Sequence, residues 1–261
     1  MPALALPTRQ IKGYGFRPAL RSFLEPVANV DDLTALAEVD PRSELQAWVE
    51  DQGQLGSCTA NATATNFRYD AALDGHDPGQ LSRLWIYRGE RQIEGTLGQG
   101  DTGAMGHDAF TVARAGIPPE SAWPYDISKF ENKPPAAAVK AQKHYVLKKS
   151  VATVPQSQLA IKRVLSNKQT IALGFTVYES FESQSVATSG IIPMPQEGEQ
   201  QVGGHEILLC GYLKSEPHYA LCMNSWSVHW GIKGFMLMPW AMILDRSLVS
   251  DLRTITRPVA A

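Results

Sequence analysis

Cysteine is scarce in this chain: three occur, at positions 58, 210 and 222. An odd, small number gives no basis for a disulfide framework. No CxxC pair and no pair of histidines has zinc-ligand spacing, and no phosphate-cradling loop is present. Neither a metal nor any other cofactor is therefore expected. His76, His107, His144, His218 and His229 read as surface or structural residues. Charge of one sign is lacking too, with a net of −2, so attraction to nucleic acid or to an anionic membrane is not implied. No apolar run approaches the roughly 18 residues of a membrane-spanning helix. Met1 to Pro7 has neither the basic start nor the long apolar core of a secretory signal. Together with the missing disulfides, this points to a cytoplasmic protein or one exported by a leaderless route.

What is present is a chain of 261 residues, 44% hydrophobic and 19% charged. That suits one large domain or two lobes with a real core. Residues 1–36 read as an irregular N-terminal extension around Tyr14-Gly15-Phe16-Arg17-Pro18, where glycine and proline punctuate aromatics. Residues 37–150 carry helical patterns. Cys58 to Leu73 has no Gly or Pro, and Ala60, Ala64, Phe67 and Ala71 recur at helical spacing. Further helices are expected over Leu81–Glu94 and Ala104–Ala115, the latter closed by Gly116 and Pro118. Residues 151–261 change character. A short helix is expected over Ser157–Ser166, and strands over Thr170–Tyr178, His205–Tyr212, Tyr219–Ser225 and Gly234–Met238. The fold class is α+β, a helical first lobe and an antiparallel β-rich second lobe. Nothing demands a partner copy, so a monomer is expected.

The chemistry starts at Cys58. The loop Gln52-Gly53-Gln54-Leu55-Gly56-Ser57 delivers this thiol to the start of a helix. Backbone N–H groups there favour the thiolate, so its pKa is expected to fall below the ordinary ~8.5. His205 follows Gly203-Gly204 and opens one strand, and Asn224 ends the next. If these strands are antiparallel neighbours, the asparagine amide oxygen can accept from one imidazole N–H while the other ring nitrogen faces the thiol. Aligning His205 with Asn224 brings Cys210 nearer Tyr219 than Cys222, which disfavours a bridge between those two cysteines.

Four motifs in order resemble the papain-like cysteine peptidases, and a bacterial branch of them in particular. Gln52 lies six residues before Cys58, and His205 lies 147 residues after it. Asn224-Ser225-Trp226 is followed by Trp230-Gly231-Ile232-Lys233-Gly234-Phe235. The resemblance, over roughly residues 38–240, implies a two-lobe papain-like fold with the cleft between the lobes. It implies peptide or protein substrates and an endopeptidase reaction through a thioester. Cys58 would be the nucleophile and His205 the acid and base. Asn224 would orient His205, Gln52 and the Cys58 N–H would hold the oxyanion, and Trp226 would shield the His205–Asn224 bond. Gly103, in Gly100-Asp101-Thr102-Gly103-Ala104, occupies the place of a glycine-rich substrate wall.

The chain also departs from the family. Leu55 stands where many members have a disulfide cysteine. Thr59 replaces a tryptophan after the nucleophile, and Ser227 replaces a glycine after Trp226. Glu206 stands where many relatives carry alanine, at the border of a substrate pocket, so its carboxylate is expected either to select Arg or Lys or to face solvent or an internal arginine. The 36-residue extension is too short for the usual pro-domain. Residues around Tyr14–Leu24 are expected to lie along the cleft as an intramolecular inhibitor, or to strap the lobes together. Deamidation or acyl transfer by the same thiol–imidazole pair, and an inactive peptide-binding homologue, stay open.

Overall fold

A computed structural model describes residues 14–18 and 37–256. Eight α-helices appear among them: α1 (Arg42–Leu45), α2 (Cys58–Leu73), α3 (Arg83–Ile93), α4 (Gly106–Ala115), α5 (Ala136–Lys140), α6 (Gln158–Ser166), α7 (Gln184–Ser189) and α8 (Trp240–Leu244). Six strands, β1 (Val151–Thr153), β2 (Ile171–Tyr178), β3 (Gln201–Gly211), β4 (Tyr219–Met223), β5 (Phe235–Pro239) and β6 (Val249–Ile255), form one antiparallel sheet in the order β1-β6-β2-β3-β4-β5.

The central helix α2 is buried almost all round, thirteen of its sixteen residues being inaccessible. Its small alanines and threonines make this feasible, because neighbours approach its backbone closely. On one side Ala60, Ala64 and Phe67 pack with Leu84, Ile86, Phe110 and Ala113 of α3 and α4. On another, Tyr69 joins Leu208, Cys210, Leu221, Met223 and Leu237 from one face of the sheet. Strand alternation sends Ile207, Leu209, Cys222, Met236 and Met238 to the opposite face, where α6 and Trp240 cover them.

Local signals set the helix ends. Ser82 and Ser157 accept backbone N–H groups from the first turns of α3 and α6. Beyond α6, Lys168 adopts φ 59° while Gln169 N–H reaches back to the Val164 carbonyl. This is a C-terminal cap in which glycine is preferred. Lys168→Gly is therefore expected to stabilise the protein by about 1 kcal/mol, raising Tm by roughly 2–4 °C in thermal unfolding. An unchanged or lower Tm would show that Lys168 is not strained.

Two expectations need correction. The β3–β4 register is not the one that aligns His205 with Asn224: Leu209 faces Cys222, and a bulge intervenes before Gly211 pairs Leu221. Cys210 and Cys222 nevertheless fall on opposite sheet faces and are free thiols. Strands β1 and β6 escaped the sequence reading, β1 because three residues show no period, β6 because Asp251 and Arg253 interrupt its apolar pattern. Ser227, noted as a replaced glycine, does sit at φ 67°.

Candidate active site

Cys58 is the first residue of α2, behind the N-cap Ser57. The turn before it is held at several points. Gly56 N–H donates to Asp101 at 2.7 Å. Tyr125 Oη donates to the Gln52 carbonyl at 2.9 Å and shares a 2.5 Å hydrogen bond with Ser57 Oγ. Arg83 stacks 4.0 Å from the Tyr125 ring centre and pairs with Glu50 and Glu120. These partners explain how one short loop without regular structure holds a fixed shape.

Gln52 is buried. Its Oε1 accepts from Ser225 Oγ at 2.5 Å, its Nε2 donates to the Leu55 carbonyl at 3.0 Å, and its backbone N–H donates to the Ser225 carbonyl. The motif around Cys58 is thus joined directly to the one around Asn224. Asn224 Oδ1 meets His205 Nε2 at 2.8 Å. Trp226 lies over the imidazole at 5.0 Å, and Phe175 and Phe181 close its other sides. The Glu206 backbone N–H reaches the Cys58 sulfur, placing the thiol beside the strand that carries His205.

The expected fall in the Cys58 pKa does not occur in this state. Burial dominates, with the charges of Glu206 and Glu90 adding to it, and the thiol is pushed up to about 12. Tyr14 to Pro18 lies across the cleft: Phe16 N–H donates to Gly204 O at 3.1 Å, Arg17 N–H to Ala104 O at 2.9 Å, and Ala104 N–H to Gly15 O at 2.5 Å. Tyr14 packs edge-on to His205 and donates to Glu182. The expectation for residues 19–24 lies outside the described residues.

Gly103 permits this approach. It has φ 66°, and a Cβ there would lie 2.2 Å from Gly15 O. The hydrogen bonds themselves fall on Ala104, one residue on. Gly174 plays the same part opposite, where a Cβ would strike the Phe16 ring.

Glu206 does not face solvent. It is buried, with its carboxyl against Gly106 at the start of α4. Burial, reinforced by Asp251, holds its pKa well above the usual carboxyl range, although Arg253 acts in the opposite sense. Burial thus disfavours the carboxylate form in the covered state. Glu90, absent from the sequence reading, is a second such group. It is fully buried and accepts from Thr59 Oγ1 at 2.7 Å, so Thr59 has exchanged a packing role for a polar one. Desolvation raises the Glu90 pKa well above its ordinary value. The folded state thus binds a proton that the unfolded chain releases above pH ~4.3, and stability is lost as pH rises from there. Glu90→Gln is expected to be near-neutral in Tm at pH 4 and stabilising by a few degrees at pH 8. A Tm difference independent of pH would count against this assignment.

Other contributors were hidden for definite reasons. Tyr125 had a weak cue in Trp123-Pro124-Tyr125, whereas Phe181 had none. Among the described residues no group of three His, Cys, Asp or Glu side chains is placed to hold a metal ion.

Comparison with known proteins agrees with this geometry. The family model for papain family cysteine proteases matches residues 36–242. A peptidase C1-like protein of Acanthamoeba polyphaga mimivirus is 36% identical over 80% of this chain and 70% of its own length. A cathepsin L-like peptidase of Aedes aegypti is 29% identical over 83% of this chain, which spans 61% of that protein. The crystal structure of xylellain, a cysteine protease from Xylella fastidiosa, superposes with a TM-score of 0.85 at 30% identity, covering 95% of this chain and 97% of that one.

Proposed function

The chain belongs to the papain family of cysteine proteases, and on that footing we propose that it hydrolyses peptide bonds with Cys58 as nucleophile. Cys58 passes its thiol proton to His205 as Sγ attacks the scissile carbonyl carbon, and the oxygen that becomes an anion is held by the Cys58 N–H and the Gln52 side-chain amide. His205 gives its proton to the leaving amine as the C–N bond breaks. It then takes a proton from water, which attacks the thioester and frees the acid. Asn224 holds His205 through the 2.8 Å bond, and Trp226 keeps water from it. The observation that carries this reading is the joining of Gln52 to Ser225, next to the His205–Asn224 pair, across a long stretch of sequence.

In the covered state the enzyme restrains itself. Residues 14–18 occupy the Ala104 and Gly204 backbone groups that border the cleft, and the buried thiol is un-ionised. The test is incubation with a peptidyl epoxide followed by peptide mass mapping. Cys58 is expected to be labelled and Cys210 and Cys222 spared, with fluorogenic peptide hydrolysis lost in step. Product analysis with acceptor amines present separates hydrolysis from acyl transfer. Stable activity after full labelling would overturn the assignment.

A further inference from the structure

The covering segment makes one contact that blocking the cleft does not require. Arg17 forms an ion pair with Glu94, whose side chain is only 4% exposed. Glu94 is the C-cap of α3 and accepts the Met105 N–H at 2.7 Å. One turn back on the same helix face, Glu90 is fully buried, and its Oε1 has no hydrogen-bond partner. Asp108 enters from the first turn of α4. Glu206 enters from β3, and its Oε1 is likewise buried without a partner. The positive charge of Arg17 acts on Glu90 and Asp108 as well as on Glu94, and Glu90 in turn feels Glu206. On the sheet side Arg253 neighbours Asp108 and Glu206, but Asp251 already engages it at 3.0 Å.

Acids of one sign brought together out of water are costly unless a cation joins them. Here a cation does join them, from a segment that hydrogen-bonds along the cleft wall as a peptide would. We propose that this recess is a specificity pocket for a basic substrate side chain, arginine above lysine, and that Arg17 fills it by imitating that side chain. The preference for arginine follows from its planar fork of donors, which can serve several carboxyls at once. The inference rests on the peptidase reading above. It differs from a role for Glu206 alone in assigning the primary ion pair to Glu94, on the helical lobe.

The test uses the full chain with Arg17→Ala, which empties the recess. Fluorogenic peptides carry Arg or Leu in turn at each of the three residues before the scissile bond. At one position kcat/KM is expected to favour Arg by about tenfold or more. Adding Glu94→Gln, which keeps an acceptor for the Met105 N–H, should reduce that ratio at least fivefold. Glu206→Gln provides a second variant should Glu94→Gln disturb the α3–α4 junction. A ratio below twofold at every position, or one unchanged in both double variants, would overturn the pocket. A binding measurement keeps the pocket separate from catalysis. The peptide Tyr-Gly-Phe-Arg-Pro should bind the Arg17→Ala protein about tenfold more tightly than Tyr-Gly-Phe-Leu-Pro. That difference without turnover or Cys58 labelling would sink the peptidase reading and leave the pocket standing, and equal binding would remove the pocket itself.

Discussion

Gln52→Ala is expected to lower kcat by about 10²–10³-fold while KM changes little, a loss of roughly 3–4 kcal/mol of transition-state stabilisation. The magnitude follows from how rigidly the amide is held. Oε1 is fixed by Ser225 and one Nε2 proton is directed to Leu55 O, which leaves the second proton to meet charge that develops only after attack. A donor already in place costs no reorganisation at that moment, so its removal is felt in kcat. The competing explanation is that the substitution loosens the Gln52–Ser225 junction and misplaces the whole cleft. A peptidyl aldehyde separates the two, because its hemithioacetal oxygen occupies the same position as the oxyanion. Its Ki should rise by the factor by which kcat/KM falls, with thermal stability reduced only modestly. A fall in kcat of less than fivefold would remove Gln52 from the oxyanion site.

Deletion of residues 1–36 is expected to raise kcat/KM by about 10–100-fold. A cover present in 90–99% of molecules reduces apparent substrate affinity by that factor. Burial of Phe16 supplies about 1.5–3 kcal/mol, and the backbone hydrogen bonds to Ala104 and Gly204 with the Arg17–Glu94 pair add to it against the cost of ordering the segment. The pH dependence of Cys58 alkylation gives an independent reading. With the thiol pushed up to about 12, thiolate is scarce below that pH, and alkylation of the covered enzyme should climb throughout the alkaline range. Uncovering restores solvent around the sulfur, relieving its largest perturbation, so the midpoint should move to lower pH. Phe16→Ala in the full-length chain should move activity and midpoint in the same directions by a smaller amount. A folded truncation with unchanged activity and midpoint would assign the segment to bracing alone.

Much of this architecture could be read from local chemistry. The α2 helix announced itself through sixteen residues free of glycine and proline beginning at Cys58, and the motifs at Gln52, His205 and Asn224 sat in recognisable order. The two-residue error in β3–β4 pairing came from treating the strands as regular. A bulge near Gly211 alters the register without a distinctive local pattern. The protonation states of Cys58 and Glu206 were beyond reach for a different reason. A helix N-terminus predicts a depressed thiol pKa only if water can reach the sulfur, and the full burial of Cys58 is a property of the assembled molecule. Tyr125 and Glu90 belong to the same category, as polar groups whose partners are brought together only by folding.

Phe16, bonded to Gly204 and lying beside Ala104, is part of the same polypeptide as the cleft it lies across. An inhibitor held by a tether acts at an effective concentration set by the chain, not by the solution. Latency of this kind survives dilution, whereas restraint by a separate molecule fades as the two drift apart. Under the proposed self-restraint, one cut between Pro18 and Val39 would turn the first situation into the second, making latency dependent on how crowded the surroundings are.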